Sequence, residues 1–127
     1  MKHIPTIAGG LLGLIFIVFG LNFFLRFIPI PAAPEGSPPA LFMGAMDATG
    51  YLAFIKIMEV IGGLLVAIPK TRNIGLILLG PIIVNILCFH IFLTQGATLI
   101  DPMNILICVL GAFLLWSGRK AFIGLLN

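Results

Sequence analysis

Residues 51–68 read YLAFIKIMEVIGGLLVAI, and the reading of this stretch decides the fold. A helix that crosses a bilayer needs about 20 predominantly apolar residues, and this segment nearly supplies them. Two opposite charges, Lys56 and Glu59, interrupt it. On insertion scales each costs roughly 2.5–3.5 kcal/mol at a membrane centre. Standing three residues apart, they share a helix face and can pair. The same face continues to Gly63 and Ala67 and back through Leu52 to Thr49. A face charged at one end and small at the other belongs against protein or an enclosed cavity, not against lipid. The rest of the chain has to enclose it.

Composition agrees with a membrane setting. Of 127 residues, 61% are hydrophobic and 9% charged, and mean hydropathy is +1.24. Soluble domains run at about 45–50% apolar and about 25% charged. One integral membrane domain is expected at this length. The pI near 9.2 comes from a few basic residues at predicted helix ends, so it signals topology and not nucleic-acid binding. Cys88 and Cys108 lie inside apolar runs, without CxxC or Cys/His metal spacing; packing is the ordinary role of such cysteines. No Walker loop, nucleotide fingerprint, zinc motif or Ser-His-Asp set is present. Catalysis by this chain alone is not expected.

Outward from the central stretch, the first span covers about 4–27, with Pro5 in its first turn. It is too long for the ~7–15-residue core of a signal peptide and reads as a retained helix. Gly9 and Gly13 form a small-xxx-small pair that Gly20 extends, a face that lets another helix approach. Asn22 lies nearly opposite. Residues 28–48 read as an outer loop whose five prolines, Pro29, Pro31, Pro34, Pro38 and Pro39, forbid regular structure through its first half. Residues 41–46, LFMGAM, are too short to span and suit an interfacial segment or a lid. The second span covers 51–68, and Lys70–Asn73 turns it into the third, 74–94, which Pro81 should kink. Asp101-Pro102 reads as an N-cap and first helical residue for the fourth span, 102–117, with Gly118 as its cap. Lys2, Lys70, Arg72, Arg119 and Lys120 mark one side; Glu35, Asp47 and Asp101 mark the other. The positive-inside rule then places both termini in the cytoplasm.

Counting about 1.5 Å per residue from the outer helix ends, Asn22 lies roughly 7 Å deep and Lys56 roughly 9 Å. Glu59 and Asn85 come to roughly 13 Å, and His90 to roughly 6 Å. Polar groups thus gather in one outer layer, while the inner half is apolar or glycine. Two readings stand. In one, the layer is a polar pocket open to the outer face that accepts a lipid or quinone head group. In the other, Lys56 and Glu59 are a structural ion pair, with Asn22 and Asn85 as interhelical hydrogen-bonding glue. One histidine cannot give bis-His haem ligation and His3 lies on the wrong side, so haem is not predicted. Gly9, Gly13, Gly20 and Gly63 are the expected helix-packing positions.

These residues carry a resemblance. Residues 20–24 GLNFF, 28–31 IPIP, 42–45 FMGA, 49–52 TGYL, 56–60 KIMEV, 81–86 PIIVNI and 89–90 FH together resemble the DoxX family of small four-helix membrane proteins, over nearly the whole chain. The resemblance implies an all-α four-helix transmembrane bundle in a bacterial-type inner membrane. Some relatives are described as membrane subunits of quinone-linked sulfur oxidoreductases or of oxidative-stress membrane complexes. This chain looks like the family's short branch, without an added soluble domain or a redox cysteine pair. The expected function is a non-catalytic accessory membrane subunit of a larger, respiratory or redox, complex. No cofactor is predicted, a quinone or a lipid being the ligand class that the layer suits. The partners are the lipid bilayer and other membrane subunits or a second copy, and no nucleic acid. A small-solute or proton-linked transporter using Lys56 and Glu59 is one alternative, and a quinone-binding electron-transfer subunit is another.

Overall fold

The computed structural model describes residues 3–96 and 99–126. Lys2, used above for orientation, and part of the 95–99 turn lie outside them. The described residues are helical, with no strand among them. The helices are α1 (Ile4–Leu25), α2 (Pro38–Ala48), α3 (Tyr51–Ala67), α4 (Arg72–Cys88), α5 (Pro102–Ser117) and the short α6 (Arg119–Ile123). Among the described residues, two helical runs are long and apolar enough to cross a membrane alone, Ile4–Leu25 and Pro69–Leu93. The count rises to four when α2 with α3, and α5 with the C-terminal segment, are each taken as one bent span.

The four long helices close a ring: α1 packs on α3, α3 on α4, α4 on α5, and α5 back on α1. The adjacent pair Gly62-Gly63 lets α3 sit between two neighbours. Successive helical residues point about 100° apart, so each glycine serves a different partner. Gly63 meets α1, where a β-carbon would lie 2.8 Å from the Gly13 carbonyl oxygen. Gly62 meets α4, where a β-carbon would lie 2.7 Å from Leu79 Cδ2. The core cluster includes Leu12, Phe16, Val66, Leu79, Ile107 and Leu114. Large apolar side chains such as Leu14, Phe54, Ile77 and Val109 point outward, as lipid-facing positions do.

Three boundaries differ from the sequence reading, each for a local reason. The first helix ends at Leu25, not at 27: Arg26 adopts a left-handed conformation (φ 53°, ψ 47°), and its N–H bonds the Asn22 carbonyl. The outer loop is not irregular throughout 28–48. Pro38 and Pro39 occupy the first two positions of α2, where no helical N–H is needed, and Ser37 caps it by accepting from the Ala40 N–H. The third span starts at Arg72, runs on through Pro81, and finishes in a π-helical turn, Phe89–Leu93. Asp101 holds the N-cap position of α5, but its side chain caps nothing.

Helix α2 leaves α3 at 85°, through Gly50 with φ +81°. It therefore runs across the end of the bundle. Phe42 on α2 packs against Phe89 of the π-helical turn, with ring centroids 5.7 Å apart.

Candidate functional site: a polar layer at one end of the bundle

Among the described residues, the buried polar or charged side chains are Asn22, Glu59 and Asn104. They stand on α1, α3 and α5: Asn22 and Asn104 in the halves of α1 and α5 that lie at the α2 end, and Glu59 at the middle of α3. An unpaired buried polar group is costly, and more so in a bilayer, where no water can satisfy it. Each member therefore carries a specific arrangement.

Asn22 clamps the chain where α1 ends. Its Nδ2 donates to the Ile28 carbonyl at 3.0 Å, and the Ile28 N–H donates to its Oδ1 at 2.7 Å. A two-way bond to a residue six positions on draws the backbone out of the helix and into the proline-rich segment. Asn22 is thus a clamp within one chain segment, not the interhelical glue of the sequence reading. A shallow hollow of about 310 Å³ adjoins it, lined by Asn22, Phe23, Arg26, Ile28, Pro29 and Ile30.

Lys56 and Glu59 form an ion pair, Nζ to Oε1, at 3.5 Å. The side chains are unequally covered: Lys56 is 22% exposed and Glu59 7%. Glu59 shares the inward stripe of Gly62, Gly63 and Val66, between α1 and α4. Lys56 turns toward the margin. The glycine stripe of α1 sets their surroundings, since a β-carbon on Gly20 would lie 2.7 Å from Val60 Cγ2 and 3.1 Å from the Lys56 carbonyl. Lys56 and Glu59 do not line the hollow beside Asn22, so that hollow does not unite the residues that the sequence reading gathered in one polar pocket open to the outer face.

Asn85 is not brought into the layer. The inward positions of α4 are Gly75, Leu76 and Leu79, with Ile82, Ile83 and Ile86 packed on the core. Asn85 falls off that stripe, is exposed, and donates to the Pro81 carbonyl of its own helix at 2.8 Å. His90 is half-buried in the π-helical turn, edge-on to Phe89 at 5.4 Å. Its carbonyl accepts from Thr94 Oγ1 and from the Gly96 N–H, both at 2.7 Å. The described residues contain no group of three His, Cys, Asp or Glu arranged to hold a metal.

The sequence reading did not name Asn104. Positions 104, 107, 111 and 114 are all buried in α5, but the residues between them are as apolar as the stripe itself, so no pattern in the sequence marked Asn104 as inward.

The comparisons with known proteins are sparse. Over 75 residues the chain is 31% identical to a protein of Bacillus subtilis named "Uncharacterized protein YwoB", an alignment covering 59% of this chain and 47% of the relative. The chain thus spans about half the length of the curated relative it matches. No family model matches the chain. No solved structure matches it either.

Proposed function

We propose that the chain is a DoxX-like, multi-pass inner-membrane protein, a four-helix transmembrane bundle with both termini on the cytoplasmic side. It acts as a non-catalytic subunit of a larger membrane assembly. The observation that carries this reading is the self-sufficiency of the polar layer. Asn22 spends its amide on the Ile28 backbone, and Glu59 faces Lys56. Groups so committed fix a shape and an outer-end geometry. They are poor candidates for turnover, which needs a group free to bond substrate.

The expected mode of association changes with the packing. The stripe Gly9, Gly13 and Gly20 is filled by α3 and by Arg72 within the same chain. A partner would instead meet the outward apolar faces or α2. Native mass spectrometry on protein extracted gently from its own membrane tests the proposal. A defined mass with other subunits is expected, and a bare monomer in lipid-retaining preparations would overturn it. A transporter is the second reading, favoured by the unequal cover of Lys56 and Glu59. It requires flux that the Lys56→Met, Glu59→Gln double variant abolishes without loss of folded protein.

A further inference from the structure

At the end of the bundle opposite the polar layer, two turns meet. Gly118, between α5 and α6, lies so close to the α3–α4 turn that a β-carbon on it would sit 2.6 Å from Asn73 Oδ1. This contact brings Lys70 to the same end as Arg119 and Lys120, and all three are exposed. The chain's four acidic residues, Glu35, Asp47, Glu59 and Asp101, belong to other segments. Arg72 is used internally, its Nε donating to the Val66 carbonyl at 3.3 Å.

The segment that follows does not continue α5. It turns away at 69° over Arg119–Leu126. At about 1.5–2 Å per residue it advances only about 4–6 Å along the α5 axis, so it lies across the bundle end. Phe122 packs on the core. Ile123, Leu125 and Leu126 stay 62%, 68% and 81% exposed. Trp116 borders the patch, with the Arg119 guanidinium 4.1 Å from its ring centroid and Arg119 Nη1 donating to its carbonyl at 2.8 Å. Basic residues, exposed aliphatic side chains and a rim tryptophan form the composition of a segment lying in a charged membrane interface.

We infer that this end of the bundle binds anionic phospholipid head groups. Lys70, Arg119 and Lys120 receive the phosphate charge, and Ile123, Leu125 and Leu126 enter the acyl boundary beneath it. The inference rests on the spanning arrangement proposed above. Juxtamembrane lysines and arginines attract acidic lipids additively, and the attraction fades within a Debye length.

Trp116 is the chain's single tryptophan and serves as the probe. The full chain is reconstituted in phosphatidylcholine vesicles containing a fixed share of brominated phosphatidylglycerol or of brominated phosphatidylcholine, and Trp116 emission is read. At equal mole fraction the acidic lipid should quench more strongly, with a relative affinity roughly three- to ten-fold higher. The Lys70→Gln, Lys120→Gln double variant should lose that preference while keeping its quenching by brominated phosphatidylcholine. Salt at about 1 M, where the Debye length is about 3 Å, should erase it in the native protein, a readout that needs no variant to fold. Equal quenching by both lipids at low salt would overturn the inference and leave the spanning arrangement standing, as it would if an acidic protein surface were the true partner. Quenching by neither lipid would overturn both.

Discussion

Gly13 and Gly63 lie back to back. A β-carbon on Gly63 would stand 2.8 Å from the Gly13 carbonyl oxygen, and one on Gly13 would meet the Gly63 carbonyl oxygen more closely still. The axes of α1 and α3 are therefore as near as their backbones permit. Gly13→Ala and Gly63→Ala should each destabilise by about 1–3 kcal/mol, the usual cost of overpacking. Gly10 is the control: it lies on the same helix, but nothing stands within 4 Å of its β-position. Gly10→Ala should be neutral or gain up to about 1 kcal/mol from helix propensity. Thermal unfolding in detergent checks all three.

The two partners of the ion pair should respond unequally. Lys56→Met leaves the Glu59 carboxylate buried without a counter-charge, whereas Glu59→Gln leaves an ammonium on a side chain that already reaches the margin. Removing one partner of a buried pair costs about 3–5 kcal/mol, and replacing both by uncharged groups is often far milder. The expected order of folded yield is Lys56→Met lowest, then Glu59→Gln, with the double variant above both. A double variant no better than the worse single one would show that the charges have a role beyond satisfying each other.

Asn22 and Asn85 should part company. Asn22→Leu leaves the Ile28 N–H and carbonyl without their partner, at about 1–3 kcal/mol for a buried polar group left unsatisfied. The 28–37 segment should then be cut faster in limited proteolysis. Asn85 bonds its own helix from an exposed position, so Asn85→Ala should stay within about 0.5 kcal/mol of the parent.

Phe42 is the aromatic tie between α2 and the π-helical turn. Phe42→Ala should loosen α2 while sparing the four-helix ring. The check is hydrogen exchange, rising over 38–48 and unchanged over the middle of α3.

The sequence by itself determined the all-helical class, its long apolar runs and several of their ends, because these depend on local quantities: hydropathy over some 20 residues, proline and the glycine punctuation. The fourth span, 102–117, coincides with α5 because Pro102 and Gly118 mark it from both sides. Position along a helix was equally legible, since rise per residue is constant: Asn22 stands near the end of α1 and Glu59 at the middle of α3.

What only the tertiary structure decided was direction. A span apolar on all sides gives no hydrophobic face to orient it, so the sequence could not show that Asn85 looks outward while Asn104 looks in. Nor could it show that the glycine stripe of α1 is spent on α3. The end of α1 and the start of α2 were hidden for a related reason: each depends on one side chain, Asn22 or Ser37, finding backbone groups that the folded chain brings to it.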